Sequence, residues 1–156
     1  MPFFIFLLIF IVIFMIIEDG FPIFYTQNRY GEKKKLFKLY KFRSMIKNAE
    51  LKTGPIWASK DDDPRLTKLG KFMRKYAIDE IPQLFNILKG DISFVGPRPE
   101  RPELYDVFVI KNPRFVDRLN SPQGLTGLAQ LLGKYDTSPK NKLRYDLIYT
   151  RNQSFL

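Results

Sequence analysis

The sequence contains no cysteine and no histidine. Without cysteine there can be no thiol nucleophile, disulfide or thiolate metal site, and without histidine the commonest general base in enzymes is missing. The phosphate-binding motif Gly-x-x-x-x-Gly-Lys-Ser/Thr is also absent, which weighs against a nucleoside triphosphatase. Any chemistry must therefore depend on Asp, Glu, Lys, Arg, Tyr, Ser or Thr side chains.

Acidic residues are scarce in one part of the chain. The 156 residues include 26 Lys and Arg against 16 Asp and Glu, which gives a net charge of +10. Residues 28–75 contain 15 of the basic residues and 5 of the acidic ones, so the rest of the chain is balanced at 11 against 11. A basic block that follows an apolar segment is typical of a protein held on the cytoplasmic membrane surface. A solvated basic face and nucleic-acid binding are the alternatives, and nucleic acid is the least favoured.

Charged residues are also absent from the first 17 residues, which are nearly all Phe, Ile, Leu and Val. As a helix this run would rise roughly 25 Å, less than the roughly 30 Å of a bilayer's hydrocarbon core. It lacks the basic start and the small-residue cleavage site of a secretory signal. We expect residues 1–20 to form a membrane-inserted hydrophobic helix and residues 21–156 to form one domain.

The first half of that domain reads as a hairpin followed by a helix. Phe21–Tyr25 and Leu36–Phe42 are predicted strands, with Gly31 in the turn between them. Residues 50–63 have the composition of a loop. Asp63 followed by proline predicts an N-cap and a helix over 64–76.

The second half is richer in helix. A helix is predicted to begin near Asp79 and to end at Gly90, which suits a C-terminal cap. Further helices are predicted over 103–119 and 139–150, with a rigid, glycine-punctuated loop over 122–127. The fold class is therefore α+β, a small helix-rich domain preceded by the hydrophobic helix.

Two acidic and two basic residues could form a phosphate-handling site. Asp79 and Glu80 lie at the predicted helix start, where the helix dipole favours ionised carboxylates and also attracts phosphate oxygens. Arg74 precedes them, and Arg98 follows on a proline-stiffened loop, so two guanidinium groups could bind a diphosphate near the carboxylates. Each residue taken alone is more typical of a surface or capping role, and only the combination favours phosphoryl chemistry.

Five ordered blocks of residues resemble the signature blocks of the bacterial sugar transferase family, the monotopic polyprenyl-phosphate phosphoglycosyl transferases. The resemblance extends over nearly the whole chain. The blocks are Tyr40-Lys41-Phe42-Arg43-Ser44-Met45, Asp79-Glu80-Ile81-Pro82-Gln83-Leu84, Gly90-Asp91-Ile92-Ser93, Val95-Gly96-Pro97-Arg98-Pro99-Glu100 and Gly124-Leu125-Thr126-Gly127-Leu128-Ala129-Gln130.

The resemblance implies transfer of a sugar-1-phosphate from a nucleotide diphosphate sugar, expected to be a UDP-sugar, to polyprenyl (undecaprenyl) phosphate. It implies that Asp79 is the covalent nucleophile, that Glu80 completes the dyad, and that both help to bind Mg²⁺. Arg74 and Arg98 would bind the phosphates. Three further residues are expected to support the site from outside it: Arg43, Asp91 and Gln83.

The resemblance also implies a re-entrant helix, broken at a Ser-Pro pair, on the cytoplasmic face of the bacterial inner membrane. Pro2 follows Met1 directly here, so the first half of such a helix would be missing, and we expect a truncated leader. The weakly indicated pathway is exopolysaccharide synthesis. The sugar and the oligomeric state stay open. Two rivals stay open as well: a non-enzymatic module that binds anionic surfaces through residues 28–75, and an inactive homologue.

Overall fold

The computed structural model describes residues 2–51, 54, 63–133 and 138–152. Short strands are interspersed among the helices, and these strands form two separate two-stranded sheets. The chain divides into two compact units, one built from Met1–Thr26 and Tyr40–Pro82, the other from Gln27–Leu39 and Gln83–Leu156. The small mixed fold of helices and sheets agrees with the prediction.

Helix α1 spans Pro2–Asp19 and carries no charge before Glu18. Ile11 and Met15, one helical turn apart, are buried in the core of the first unit. The exposed large apolar side chains of the helix are Phe6, Leu7, Ile9, Phe10, Ile13, Phe14, Ile16 and Ile17. Across the described residues, no helix is both long enough and apolar enough to cross a bilayer. Membrane insertion of residues 1–20 stays a prediction.

The first unit also contains helix α2, Lys68–Lys75, which packs with α1 on a common core. Phe42 and Met73 complete the buried cluster begun by Ile11 and Met15. Partly buried apolar side chains pack around it: Leu8, Val12, Ile23, Leu69, Ile78 and Ile81. The last two of these flank the predicted dyad, so its backbone is attached to this core.

The predicted hairpin is present with one strand shifted. Strand β2 is Leu36–Phe42, as predicted, but β1 is Phe24–Tyr30 and begins three residues later than expected. Pro22 has no amide hydrogen for a ladder and Gly20 has a φ of 65°, so the chain turns before it can extend. The connection closes at Gly31, whose amide donates to the Lys35 carbonyl at 2.8 Å.

Helix α2 begins four residues later than the sequence predicts. Its N-cap is Thr67, whose Oγ1 accepts a hydrogen bond from the Gly70 amide at 2.8 Å. The carboxylate of Glu18, at the end of α1, accepts from the amides of Lys68 at 2.6 Å and Leu69 at 3.1 Å. Three of the otherwise unpaired amides of the first turn are thus satisfied, and the acidic group also suits the helix dipole.

The prediction that Asp63 is the N-cap is wrong, because the Asp63 carboxylate is bound by Arg65. Its Oδ1 accepts from the Arg65 amide at 3.0 Å and from Arg65 Nε at 2.8 Å, and Oδ2 pairs with Arg65 Nη2 at 2.6 Å. An acid satisfied two residues downstream does not cap a helix. Most of the loop predicted over 50–63 lies outside the described residues.

Helix α3 runs over Gln83–Leu88, so the prediction that it begins near Asp79 is also wrong. Ile78–Glu80 forms a separate 3₁₀ turn. Pro82 cannot donate an amide hydrogen bond to the Ile78 carbonyl, so α-helical bonding cannot run from Asp79 through it. The predicted end is confirmed: Gly90 has a φ of 73° and its amide donates to the Ile87 carbonyl at 2.9 Å.

The second sheet joins β3, Ser93–Val95, to β4, Gly124–Thr126, in parallel, with Ser93 opposite Gly124 and Val95 opposite Thr126. The loop predicted over 122–127 therefore contains a strand. Gly96 is required beside it, because a Cβ there would lie 2.3 Å from the Pro122 carbonyl oxygen.

The remaining helices of the second unit are α4 (Pro102–Lys111), α5 (Leu128–Leu131) and α6 (Pro139–Arg151), so the predicted last helix is confirmed. The helix predicted over 103–119 is instead α4 followed by a 3₁₀ segment, Pro113–Asn120. Pro113 interrupts the α-helical bonding. The buried core between these elements contains Tyr105, Phe115, Leu119 and Leu143.

Candidate active site

The dyad lies on a tight turn in the first unit. Ala77 adopts the left-handed conformation with a φ of 55°, uncommon for a residue with a side chain and costly by about 1 kcal/mol or more. Its carbonyl accepts from the Glu80 amide at 3.1 Å. Ile78 and Ile81 pack into the core on either side, and Asp79 is only 4% exposed. A strained turn that holds a buried carboxylate is typical of a functional position.

Glu80 is held by a cation that sequence reasoning missed. Lys41 Nζ on β2 donates to Glu80 Oε1 at 2.7 Å, and both side chains are largely buried. Lys41 belongs to the block of residues 40–45 that carried the resemblance, so that block was a signal for it. The ion pair fixes one carboxylate of the dyad relative to β2 and leaves the two acids in different surroundings.

Arg74 is positioned in the same unit by the last turn of α2. Its Nε donates to Ser44 Oγ at 2.9 Å, and among the described residues that is the only group bonded to its guanidinium. Nη1 and Nη2 can therefore bind an anion. Helix α2 and the segment that contains Ser44 approach each other closely at Gly70, where an added Cβ would lie 1.9 Å from the Ser44 carbonyl oxygen.

Arg98 belongs to the second unit, on the segment that follows β3. It is the one residue of 96–100 that is not fully buried, so the segment presents this side chain alone. Its Nη1 donates to the Leu125 carbonyl at 3.2 Å. The sequence-based prediction that Arg98 and Arg74 flank one point stays a prediction.

Two of the three predicted supporting residues form side-chain hydrogen bonds, and the third is buried. Arg43 Nη2 donates to the carbonyls of Asp19 at 3.0 Å and Gly20 at 2.6 Å, which fastens the end of α1. Asp91 Oδ2 accepts from the buried amide of Asn86 at 3.0 Å, just after α3. Gln83 is buried at the start of α3, and its Nε2 has no partner among the described residues.

A buried ionic cluster in the second unit was not predicted. Arg118 and Asp146 are almost fully buried, and Arg118 Nη2 lies 2.7 Å from Asp146 Oδ2. Burial raises the pKa of Asp146, while the charge of Arg118 and its hydrogen bond oppose that rise. Arg118 lies three positions after the buried Phe115, and Asp146 lies three positions after the buried Leu143. This helical spacing places both charged residues on the apolar face of their segments, which was the available sequence signal for their burial.

The dyad is suited to a hard cation. In the part of the chain that the structure describes, no three acidic side chains cluster as a metal site. Mg²⁺ does not need such a cluster, since it is commonly bound by one or two carboxylates together with substrate phosphates and water. The oxygen donors of Asp79 and Glu80 therefore fit Mg²⁺.

The second unit has an open groove of about 810 Å³ between α6 and the residues around Asn112. Its walls include Arg114, Lys140, Arg144 and Arg151, and it contains none of the predicted site residues. The first unit thus contains the buried Asp79, the Lys41-bound Glu80 and Arg74, whose Nη1 and Nη2 are bonded to no described residue. Such groups suit a phosphate-bearing substrate.

The chain belongs to the bacterial sugar transferase family, whose model matches residues 1–156. It is 52% identical over 109 residues to the Bacillus subtilis (strain 168) protein named "Putative undecaprenyl-phosphate N-acetylgalactosaminyl 1-phosphate transferase", covering 70% of this chain and 60% of that protein.

Two other relatives carry similar names. The "UDP-N-acetylgalactosamine-undecaprenyl-phosphate N-acetylgalactosaminephosphotransferase" of Aeromonas hydrophila is 40% identical over 141 residues, which cover 88% of this chain and 33% of that protein. The "Undecaprenyl-phosphate galactose phosphotransferase" of Salmonella typhimurium is 38% identical over 160 residues, 89% of this chain and 31% of that protein. The chain thus spans about a third to three fifths of these relatives.

Proposed function

We propose that this protein transfers a sugar-1-phosphate from a UDP-sugar to undecaprenyl phosphate. The names of the relatives, which refer to undecaprenyl-phosphate sugar phosphotransferases, support the substrate classes. The observation that carries the proposal is the buried carboxylate of Asp79 on a strained turn, in the same unit as Lys41-bound Glu80 and Arg74.

Asp79 is the proposed nucleophile of the first half-reaction. A carboxylate oxygen of Asp79 attacks the phosphorus that bears the sugar, a new O–P bond forms, and the bond to the nucleotide phosphate breaks. Uridine monophosphate leaves with the bonding electron pair. Burial withdraws the carboxylate from water, and its anchored turn holds it in a fixed orientation, which is what a displacement of this kind needs.

Undecaprenyl phosphate completes the second half-reaction. One of its phosphate oxygens attacks the same phosphorus, the bond to Asp79 breaks, and the carboxylate is restored. The product is undecaprenyl diphosphate sugar, so the two steps balance without any other reactant. Glu80 follows the nucleophile in sequence and stays paired with Lys41, whose Nζ lies 2.7 Å from Glu80 Oε1.

Arginine side chains are proposed to bind the diphosphate. Nη1 and Nη2 of Arg74, to which no described residue is bonded, match two phosphate oxygens. A planar fork of this kind binds phosphate better than a lysine does. Arg98 is the proposed second phosphate ligand, supported by its position as the one partly exposed side chain of a buried segment. Mg²⁺, held by Asp79 and Glu80, would neutralise phosphate charge when bound.

The exposed apolar side chains of α1 support a proposed membrane seat. Phe10 and Ile17 are 60% and 74% exposed, and burial of such side chains in the acyl region is favourable by about 1.5–3 kcal/mol each. Anionic lipids would attract the basic residues 28–75. The proposed location is therefore the cytoplasmic face of a bacterial inner membrane, in exopolysaccharide synthesis.

The test is release of uridine monophosphate from a panel of UDP-sugars by detergent-solubilised protein with Mg²⁺ and undecaprenyl phosphate. Asp79→Asn should abolish release. Asp106→Asn is the matched control, because Asp106 is 55% exposed and, among the described residues, forms an ion pair only with Lys34, at 3.7 Å. It should retain wild-type turnover.

Retained turnover in the Asp79→Asn protein would refute the nucleophile. Silence of folded wild-type protein across the whole panel would instead favour a non-enzymatic role. In that case binding to anionic vesicles should fall steeply with salt and should be unaffected by the Asp79 substitution.

A further inference from the structure

The segment that carries Arg98 is fastened by its carbonyl groups. Residues 97–100 contain two prolines, which have no amide hydrogen, so carbonyl oxygens are the main backbone groups available for bonding. Each of the four consecutive carbonyls accepts a hydrogen bond. The donors are, in order from residue 97, the Gly124 amide at 2.9 Å, Arg118 Nη2 at 2.9 Å, Arg29 Nη1 at 3.1 Å and the Tyr30 amide at 3.1 Å.

Arg118 makes the bond to the carbonyl of Arg98 itself. Its Nε and Nη2 both lie against Asp146 Oδ2, at 2.9 and 2.7 Å, and Nη2 also reaches the Arg98 carbonyl. Its guanidinium packs over the Phe115 ring at 4.8 Å. Four contacts thus fix the guanidinium of Arg118, and one of them is the hydrogen bond to the Arg98 backbone.

The cluster is anchored to several elements of the second unit. The buried amide of Gln123 donates to the Arg118 carbonyl at 2.9 Å, and Glu100 Oε1 lies 4.0 Å from Arg118 Nη1. Arg29 is 3.9 Å from the other oxygen of Glu100. A buried ion pair adds little to stability, because the cost of desolvating both charges offsets their attraction. Stability alone therefore does not account for the Arg118–Asp146 pair.

We infer that Arg118 is a positioning residue, which holds the backbone of Arg98 so that the Arg98 guanidinium is presented to the diphosphate of the substrate. The inference rests on the proposed role of Arg98 in the proposed function. Lysine cannot replace Arg118, because one ammonium cannot reproduce the fork that bonds a carboxylate and a carbonyl together while stacking on Phe115.

The test is a double-mutant cycle on kcat/KM for the UDP-sugar, with Arg118→Lys and Arg98→Ala alone and combined. If Arg118 acts through Arg98, Arg118→Lys should lower kcat/KM by about 10- to 100-fold in the wild-type background, mainly through KM. In the Arg98→Ala background the further loss should be under about threefold. Arg114→Lys is the matched control on the same 3₁₀ segment, since the exposed Arg114 forms an ion pair, within the described part of the chain, only with Asp117 at 3.7 Å.

A merely structural Arg118 gives a different result. Its replacement would then lower the activity by the same factor in both backgrounds, and that additivity would overturn the inference. Should Arg118→Lys not unfold cooperatively, Arg29→Lys takes its place in the cycle, because Arg29 holds the adjoining Pro99 carbonyl. An additive result with Arg29 would overturn the inference equally.

Failure of the proposed function is distinguishable from failure of the inference. If the folded wild-type protein releases no uridine monophosphate, the same cycle is measured on the affinity for inorganic pyrophosphate by calorimetry. Loss of affinity in both single variants, without further loss in the double variant, supports the positioning role. Unchanged affinity in Arg118→Lys contradicts it.

Discussion

Gly70→Ala should destabilise the first unit although alanine is the better helix former. Gly70 lies inside α2, where alanine is favoured by about 1 kcal/mol. The added Cβ would lie 1.9 Å from the Ser44 carbonyl oxygen and 2.7 Å from its carbon. Contacts under 3.0 Å are essentially never found, so the backbone at Ser44 must retreat by about 1 Å.

The displacement has two costs. The Ser44 carbonyl accepts from the Thr67 amide at 3.2 Å, and a shift of this size breaks that bond, at about 1 kcal/mol. Overpacking of a close contact adds about 1–3 kcal/mol. After the helix-propensity gain, the expected net loss is about 1–3 kcal/mol in the free energy of unfolding.

Denaturant unfolding followed by circular dichroism measures this loss. Lys71→Ala, at the next, exposed position of α2, is the control and should change stability by less than about 0.5 kcal/mol. Because Ser44 Oγ binds Arg74 Nε, Gly70→Ala should also weaken uridine monophosphate release. A Gly70→Ala protein as stable as wild type, or more stable, would refute the close approach.

Three further predictions concern single side chains. Tyr105→Phe should leave the unfolding free energy unchanged or raise it by up to about 1–2 kcal/mol, since the buried hydroxyl has no partner among the described residues; a loss above about 1 kcal/mol would contradict this. Thr67→Val should lower the free energy of unfolding by about 1 kcal/mol, because it removes the N-cap of α2. Unchanged stability would contradict the assignment of Thr67 as the N-cap. Burial lowers the pKa of Lys142 below its usual 10.5, so the unfolded chain binds more protons between the folded pKa and 10.5, and stability should rise with pH through that window. Lys142→Met should remove this rise relative to wild type in chemical unfolding across alkaline pH, and an identical pH slope in both proteins would count against it.

Features set by neighbouring residues could be predicted from the sequence. Helix α6 begins where Ser138 precedes Pro139, and the Ser138 hydroxyl caps it through the Asn141 amide at 3.4 Å. Gly90 ends α3 because only a left-handed residue can close that cap without strain. Both signals act within four residues, which is why composition and spacing sufficed.

Features set by distant residues could not be predicted. The start of α2 depends on Glu18, which lies 50 residues from the Lys68 amide that it caps, so the local Asp63-Pro64 signal was misleading. The Arg118–Asp146 pair joins residues 28 positions apart. Asp79 was identified as a candidate, but its strained turn depends on the left-handed Ala77, a conformation that alanine rarely adopts.

The most direct test of the central claim is the intact mass of the protein after mixing with UDP-sugar and Mg²⁺ in the absence of undecaprenyl phosphate. Wild type and Asp106→Asn should gain the mass of one phospho-sugar, with about one equivalent of uridine monophosphate released, and undecaprenyl phosphate should then remove the adduct. Asp79→Asn should gain nothing. An adduct on the Asp79→Asn protein, or lipid-dependent turnover with no adduct on wild type under rapid quenching, would contradict covalent catalysis by Asp79.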